Sequence, residues 1–546
     1  MKIYHDQVIE AAYLHTKPGC FFIGPFARRV SFASQQRRAL HLVEALGEKG
    51  FLGSKEERTK KTCAIIGAGL AGLTACAALR GWGCAVHVYE RNPHALTAQS
   101  KASHRLVHPT IARWPIDPLM LTTEFDFLDW AAGPCDSVIE GLRRDWERLV
   151  ECDNALDLRV MPNVGVEKLL IHNGRIRLEL TEQKNSVDRP GNIQPRQGYD
   201  LVIVATGFAE QHAPELPADS YWSEKDQVEA WRAGQRRVLV SGAGDGGLID
   251  ALRLVHGDFD GGWLAVRLAH RLGNEFDSEI ARAEEQALMA ERSIAFMKFG
   301  DASGDPGTKR VGLPTGNTAV IRRLESVYTD IARRLPKQAQ SLLDASLEKG
   351  NVPPGRVTLS SPQPAPFSTF AAPIHKIMIA HALESGAVTY QVGYLRKDAG
   401  GEFVHNEETN ERTRIRDSEL VIRHASPANL ETLLNDVEHQ TLRLRQLMLA
   451  DYIDTETPRA MKPPAGYPVW NDGRDADFVR SRYQMTVELM RAVAPGLAVS
   501  AVLEGFVCET TADTSAALGA SRDIPIPESI FRVPLKKRAV QRVPAL

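Results

Sequence analysis

Two glycine-rich stretches of this sequence each follow a short apolar run. Their glycines have the same spacing, at Gly67, Gly69 and Gly72 in GAGLAG and at Gly242, Gly244 and Gly247 in GAGDGG. In such a motif the first glycine permits a tight turn, the second lets backbone approach a pyrophosphate, and the third lets a helix pack closely on its strand. The helix N-terminus adds free N–H groups and a partial positive charge. Both stretches therefore predict a dinucleotide site.

A carboxylate is expected at the end of the strand after each motif, because it would hydrogen-bond the ribose hydroxyls. The first motif has Glu90, which ends the apolar run AVHVYE. The run that we expect to form the corresponding strand after the second motif reads AVRLAHR and has no acidic residue. Its basic residues either bind the extra phosphate of NADP or are ordinary surface charge: Arg267, His270 and Arg271.

Asp245 lies inside the second motif, where a bound pyrophosphate would meet another negative charge. A carboxylate at a helix N-terminus is stabilising by itself, typically by about 0.3–1 kcal/mol. Asp245 can therefore accompany a bound anion or replace it as a helix cap. For this stretch a dinucleotide site and a structural helix start both remain open.

The elements around the motifs predict two α/β units of similar layout. Each runs from a strand through the glycine turn to a helix and a strand, then to a small β meander and a last apolar strand. Apolar runs of four or five residues between helical patterns indicate parallel sheets that are covered on both faces. The predicted fold class is α/β, with two Rossmann-like domains, a helical insertion and an α+β C-terminal region.

The predicted boundaries divide the chain of 546 residues into an N-terminal arm, two dinucleotide-binding domains and a C-terminal region. These lie at residues 1–54, 62–231, 236–426 and 427–546, with the helical insertion of the second domain at about 275–350. Ser31 or Ser34 is expected to cap a helix in the arm. The first turn of that helix, Gln35 to Arg38, either reaches the cofactor or is a solvated helix start, which the sequence favours. A helix is also expected at about 475–494.

The stretch TCAIIGAGLAGLTACAALRGWGCAVHVYER resembles the FAD-binding opening of flavoproteins that have two dinucleotide-binding domains. YDLVIVATG resembles the second flavin motif of the same class. The resemblance implies a set of FAD-binding residues: Gly67, Ala68, Gly69, Leu70, Ala71, Gly72, Glu90, Arg91, Val166 through its backbone, Thr206 and Gly207. It also implies that Gly242, Gly244, Asp245 and Gly247 lie in the nicotinamide-coenzyme motif. The Gly-Asp flavin motif of the class is not found after the second unit.

The loop SHRLVHPTIARWP lies where such flavoproteins often bring the chain past the flavin ring. Arg105 would pair with the flavin phosphates or with an acidic substrate, or it is an ordinary loop residue. His108 would carry a proton near neutral pH. The ordinary alternative, that His108 is a loop residue that covers the core, is favoured.

Composition excludes several classes of protein. Lys plus Arg total 66 against 68 for Asp plus Glu, which gives no electrostatic signal for nucleic acid or an anionic membrane. No apolar run approaches the roughly 20 residues of a membrane span. The 7 cysteines include no CxxC pair, which argues against a protein dithiol relay and suits a reducing cytoplasm.

These observations predict an FAD-dependent oxidoreductase whose flavin is reduced by NAD(P)H and reoxidised by a small-molecule substrate or O₂. FAD and NAD(P)H are the expected cofactors, no metal is expected, and no residue is assigned a catalytic role. Two alternatives stay open. One is an FAD-dependent amine or amino-acid oxidase with a structural second unit, and the other is a non-catalytic flavin-bound sensor or assembly protein.

Overall fold

The computed structural model describes residues 5–424 apart from 183–197, 208–219, 302–317 and several shorter gaps, together with parts of 441–446 and 499–510. The helix expected at 475–494 lies outside these residues. No helix in the described part of the chain combines the length and apolar character needed to cross a bilayer.

The first domain is built on a parallel sheet in the order β1-β9-β2-β3-β6. An antiparallel hairpin, β7-β8, and a short pair, β4-β5, stand beside it. The strands are β1 (Cys20–Phe22), β2 (Thr62–Ile66), β3 (Ala85–Tyr89), β4 (Leu106–Val107), β5 (Gly133–Pro134), β6 (Leu158–Met161), β7 (Val164–His172), β8 (Arg175–Glu182) and β9 (Leu201–Val204). The helices are α1 (His5–Ala12), α2 (Phe32–Glu48), α3 (Leu70–Gly81) and α4 (Cys135–Cys152).

The N-terminal arm is part of this domain. Its strand β1 pairs in parallel with β9, and Ser31 begins α2 with a capping box, as the serine pattern predicts. Residues of α2 and α3 share one apolar core. The arm therefore adds a strand–helix unit to the domain, and the carboxyl end of β1 lies at the edge of the sheet that also carries the glycine motif.

The expectation of a solvated start for α2 is wrong. Gln36, Arg37 and Arg38 are all less than a tenth exposed. The Gln36 side chain donates to the Leu128 carbonyl and accepts from the Trp130 indole N–H, at 2.8 and 2.7 Å. A polar helix start looks solvated in a sequence, but here buried loops of the first domain supply its partners.

The second domain has a parallel sheet in the order β12-β11-β10-β16 and an antiparallel meander, β13-β14-β15. Its strands are β10 (Arg237–Ser241), β11 (Val357–Ser361), β12 (Val388–Val392), β13 (Tyr394–Asp398), β14 (Gly401–Asn406), β15 (Glu411–Arg414) and β16 (Ser418–Ile422). A further hairpin is formed by β17 (Val499–Val502) and β18 (Val507–Thr510). The helices of the second domain are α5 (Gln227–Arg232), which leads into the domain, α6 (Asp245–Val255), α7 (Trp263–Leu272), α8 (Asp277–Asp301), α9 (Thr318–Arg333), α10 (Lys337–Gly350) and α11 (Pro373–Glu384).

The stretch AVRLAHR is not a strand, as the sequence suggested, but part of α7. Leu264, Leu268 and Leu272 recur at helical spacing and are buried in the core of the second domain. Short apolar runs do not separate helix from strand by periodicity alone, which explains the error. The next strand of the sheet is β11, after the helical insertion α8–α10.

A loop of the first domain packs into the apolar core of the second domain. Trp114, from the loop of the first domain, is 5% exposed and lies in the apolar core of the second. Ile111 of the same loop packs against that core. The loop that carries Arg105 and His108 is therefore part of the domain interface.

Candidate cofactor-binding sites

The first glycine motif joins β2 to α3 with little room to spare at two of its three glycines. Gly67 has φ +104°, and a Cβ at Gly67 would overlap the Ala205 carbonyl. A Cβ at Gly72 would overlap the Gly67 carbonyl. Gly69 is the N-cap of α3 and has no described atom within 4 Å of a Cβ position. The open position thus lies at the helix N-terminus, where a phosphate would bind.

The second motif repeats this geometry between β10 and α6. Gly242 has φ +129°, and a Cβ at Gly247 would overlap the Gly242 carbonyl. Gly244, the N-cap of α6, has φ −77° and ψ 173°, close to the −74° and 174° of Gly69. No described atom lies within 4 Å of a Cβ position at Gly244. The two turns therefore present equivalent openings at a helix N-terminus.

Glu90 is held at the mouth of the first motif. Its Oε2 accepts the Ala68 N–H at 2.7 Å, and Oε1 accepts the backbone and side-chain N–H groups of Asn92 at 2.8 and 2.7 Å. A carboxylate has about four acceptor positions, so ribose hydroxyls can still be bound. The Glu90 carbonyl accepts from Val164 at 2.9 Å, which places β7, and with it the backbone of Val166, beside this carboxylate. Arg91 is exposed next to it.

The Ala-Thr-Gly segment after β9 lies against the first motif. The Ala205 N–H donates to the Ile66 carbonyl at 2.8 Å, and Gly207 has φ +65°. The Thr206 hydroxyl is buried and has no hydrogen-bond partner among the described residues. Buried polar groups are nearly always hydrogen-bonded, so this hydroxyl needs an acceptor or donor from a ligand or water. The open Gly69, the carboxylate of Glu90 and the unpaired Thr206 together fit bound FAD.

The counterpart of Glu90 in the second domain is Ser361, which the sequence analysis missed. The Gly67 N–H donates to the Tyr89 carbonyl, and the Gly242 N–H donates to the Ser360 carbonyl, so Glu90 and Ser361 follow equivalent residues. Ser361 is 3% exposed, and its hydroxyl lies 2.9 Å from that of Tyr390. The apolar run VTLSS was the available signal, but it lies far along the chain behind the helical insertion.

The basic residues of AVRLAHR are consequently not at the ribose position. Arg267 pairs with Asp260 at 2.9 Å, and the exposed Arg271 donates to Gln338 at 3.3 Å. His270 lies on the same helix, α7. The alternative of ordinary structural and surface charge therefore describes Arg267 and Arg271 better than a role at an NADP phosphate.

Asp245, the first residue of α6, directs its carboxylate to a neighbouring helix. Oδ1 accepts the N–H of Ala372, the N-cap of α11, at 2.9 Å and lies 2.6 Å from Nδ1 of His375. Burial alone would raise the pKa of Asp245, but the charge and hydrogen bond of His375 and the bond from Ala372 lower it overall. Asp245 thus stabilises the N-terminus of α11, and its charge is balanced away from the opening at Gly244.

Arg105 forms a buried ion pair between the domains. Both terminal nitrogens contact Asp250 of α6, with the longer contact at 3.2 Å, and its guanidinium stacks 3.8 Å from the Tyr221 ring. Arg423 also binds Asp250, at 2.7 Å. Burial raises the pKa of Asp250, but Arg105 and Arg423 outweigh it and hold the value at about 2. The structure therefore places Arg105 in the domain interface, where its guanidinium is bound by Asp250.

His108 is not placed to carry protons. It is 5% exposed, and its Nδ1 accepts the N–H groups of Thr110 and Ile111, both at 3.1 Å. Burial and the neighbouring His270 lower its pKa to about 3. A neutral His108 that organises its loop agrees with the ordinary alternative.

The described cysteines are also unsuited to redox chemistry. Cys20, Cys63, Cys76, Cys84 and Cys135 are buried free thiols. Burial, with Asp136 nearby, raises the pKa of Cys135 to about 12. Because the thiolate is the reactive form, such a residue is inert as a nucleophile.

Comparison with known proteins agrees with the dinucleotide-binding geometry. Residues 61–299, which include both glycine motifs, match the pyridine nucleotide-disulphide oxidoreductase family. Similar solved structures include thioredoxin reductase from T. acidophilum, which is 11% identical, covers 72% of this chain and 98% of its own, and has a TM-score of 0.32. Bacillithiol disulfide reductase from Bacillus cereus is 12% identical, the match covers 72% of this chain and 98% of that protein, and the TM-score is 0.33. Kutzneria sp. 744 ornithine N-hydroxylase is 11% identical, the match covers 68% of this chain and 83% of that protein, and the TM-score is 0.31. No curated protein matches.

The fold and the two motifs define a flavoprotein with two Rossmann-like dinucleotide-binding domains. The chain is an FAD/NAD(P)-binding oxidoreductase, with FAD and NAD(P)H as its cofactors. The predictions of fold class, enzyme class and cofactors are therefore confirmed. The solved structures have low identity and low TM-scores, so none of them assigns a substrate.

Proposed function

We propose that this enzyme takes electrons from NAD(P)H at the second motif and passes them through FAD to a small-molecule substrate or to O₂. FAD supplies the hydride-accepting and electron-donating chemistry, and the protein supplies binding, orientation and exclusion of water. The residues proposed to hold FAD are Gly69, Glu90, Thr206 and Gly207, and Gly244 opens the coenzyme site.

The observation that carries this proposal is the equivalence of the two glycine turns. Gly244 and Gly69 have nearly the same backbone angles and the same open space at a helix N-terminus. A scaffold without a ligand has no need for an open second glycine. The first and third glycines are explained by packing alone, but the second is not.

The interface between the domains supports transfer between two bound rings. Asp250, on the helix that follows the second motif, binds Arg105 from the loop of the first domain. Both residues are almost completely buried. An ion pair of this kind fixes the loop of the first domain against α6, the helix of the second motif, and would help to hold the two cofactor sites in a defined relation.

The cysteines support a substrate other than a disulfide reduced through protein thiols. The sequence has no CxxC pair, and the described thiols are buried within apolar packing. A small organic substrate or O₂ needs no such thiol relay. The reductase or monooxygenase type therefore fits this chain better than a dithiol-dependent disulfide reductase.

An anaerobic titration tests the proposal. The absorption spectrum of the purified protein is recorded first to show bound FAD, and NADPH or NADH is then added without O₂. Loss of the oxidised flavin absorbance is the expected result. A flavin-loaded protein that neither coenzyme bleaches, but that an amine or amino acid does, would instead support the oxidase alternative.

A further inference from the structure

A group of buried charges lies beside the second motif and includes a residue of the N-terminal arm. Glu284 of α8 is fully buried and binds three side chains. Its Oε1 accepts from Lys376 at 2.7 Å and from the Tyr328 hydroxyl at 2.5 Å, and its Oε2 contacts Arg29. Arg29 follows β1 and precedes α2, so it belongs to the first domain.

This cluster is continuous with the motif. His375 and Lys376 are consecutive on α11, and they hold Asp245 and Glu284 respectively. Arg29 and Lys376 therefore share Glu284, and Lys376 directly follows the partner of Asp245 in the first turn of α11. Burial raises the pKa of Asp245, but His375, the Ala372 N–H and the positive charge of Arg29 outweigh burial and lower it overall.

Arg29 has binding capacity that its partner does not use. It is 8% exposed, and its Nε–H is buried without an acceptor among the described residues. A guanidinium has five donors arranged to bind carboxylates and phosphates. Glu284 fixes this side chain while leaving Nε unpaired, which is the arrangement of a prepared anion-binding group.

The local charges favour a cation beside the pyrophosphate of a bound coenzyme. Asp245 lies at the N-terminus of α6, where the pyrophosphate of a coenzyme would add further negative charge. The N-termini of α6 and α11 meet at Asp245 and contribute partial positive charge. Arg29 is a full positive charge brought to this place from the other domain.

We infer that Arg29 is a coenzyme-binding residue, delivered by the N-terminal strand–helix unit to bind the pyrophosphate of NAD(P)H at the second motif. This inference rests on the proposed function. It makes the second site incomplete without the first 54 residues, since β1 and α2 place Arg29. Glu284 is the positioning residue that orients its guanidinium.

Binding of oxidised coenzymes tests this role without turnover. NADP⁺ and NAD⁺ are titrated by calorimetry into the FAD-loaded full-length protein and into its Arg29→Gln and Arg29→Lys variants. Loss of a charge-assisted hydrogen bond to phosphate is expected to raise the Kd about 10- to 100-fold in Arg29→Gln. Arg29→Lys should lie between, and Arg29→Gln should flatten the dependence of the Kd on salt. Arg236→Gln, at an exposed arginine that pairs with Glu419, is the control and should bind as wild type.

Each outcome decides the inference. Wild-type affinity in a folded, FAD-loaded Arg29→Gln protein overturns it and leaves the proposed function standing. Absence of coenzyme binding by the wild-type protein overturns both. If Arg29→Gln does not fold, the double variant Arg29→Gln/Glu284→Gln removes the pair together. Weak binding by the folded double variant supports the inference, and wild-type binding refutes it.

Discussion

Ser361 stands in the second domain where Glu90 stands in the first, and this difference bears on coenzyme choice. The loop SSPQPAPFSTFAA that leads from β11 to α11 has no ionisable side chain. A carboxylate at the ribose position would repel the 2′-phosphate of NADPH, whereas the Ser361 hydroxyl does not. The ribose end of the site is therefore compatible with either coenzyme.

Ser361→Asp is predicted to shift that balance towards NADH. A new carboxylate near the 2′-position should raise the Kd for NADP⁺ at least about tenfold relative to that for NAD⁺, because two negative charges a few ångströms apart repel each other. The measurement is the ratio of the two dissociation constants in FAD-loaded protein. An unchanged ratio would show that Ser361 does not face the ribose.

Asp245→Ala is predicted to separate stability from coenzyme binding. Its carboxylate serves Ala372 and His375 of α11, so removing it should cost about 1–3 kcal/mol of unfolding free energy. Affinity for NAD(P)⁺ should stay the same or rise, since a negative charge leaves the site. Calorimetry and denaturant unfolding measure the two effects. A large loss of affinity would mean that Asp245 contacts the ligand itself.

At the level of elements, each glycine turn has two positions for packing and one, the second glycine, for the ligand. Gly244→Ala is predicted to preserve the fold and the FAD content but to block the coenzyme, because its φ of −77° suits alanine and the only loss is open space. Gly247→Ala should destabilise the second domain, since its Cβ would overlap the Gly242 carbonyl. Coenzyme titration and thermal unfolding of the two variants give opposite patterns if this division is correct.

The first motif allows the same test for FAD. Gly69→Ala should fold but lose FAD, and Gly72→Ala should fold poorly because of overlap with the Gly67 carbonyl. The flavin absorbance per protein and the melting temperature distinguish the two variants. Retention of FAD by Gly69→Ala would contradict the assignment of the open position to the pyrophosphate.

The sequence correctly predicted those elements whose formation depends on residues close together in the chain. The glycine spacing, the Ser31 cap and the helices of the insertion follow from residues close in the chain. The sequence predictions were wrong or incomplete where residues far away in the chain determine the conformation or the contacts of a segment. AVRLAHR became a helix because Leu264, Leu268 and Leu272 face the core, and Ser361, the counterpart of Glu90, lies beyond a long insertion. Arg105 could not be assigned before Asp250 was known to lie against it.

For the whole molecule, the buried contact between Arg105 and Asp250 joins the two domains. Arg105→Met is predicted to destabilise the protein by about 1–3 kcal/mol, because the fully buried Asp250 loses one of its arginine partners but keeps Arg423. The folded variant should keep its FAD. Denaturant unfolding and flavin absorbance measure the two quantities. Loss of FAD at native stability would instead support a contact of Arg105 with the flavin phosphates.

Two buried histidines, His108 in the domain interface and His256 at the end of α6, predict how stability depends on pH. Burial lowers the pKa of both His108 and His256 to about 3, with charged neighbours as secondary causes. In the unfolded chain each would have a pKa of about 6.5. The unfolded state therefore binds more protons below about pH 6.5, and stability is lost as the pH falls towards 3.

The slope of this loss is the measurable consequence. For each neutral buried histidine, the free energy of unfolding falls by about 1.4 kcal/mol per pH unit as the pH is lowered from about 6 to 4. Asp250, whose pKa is held at about 2, adds a loss only below about pH 4, where the unfolded carboxyl takes up a proton. His108→Asn keeps an acceptor for the Thr110 and Ile111 N–H groups but does not titrate. Denaturant unfolding at pH 6, 5 and 4.5 measures the free energy of unfolding of both proteins. Its loss with falling pH should be smaller in the variant by about 1.4 kcal/mol per pH unit, the share of one histidine. Parallel curves for the two proteins would show that His108 is not buried in its neutral form.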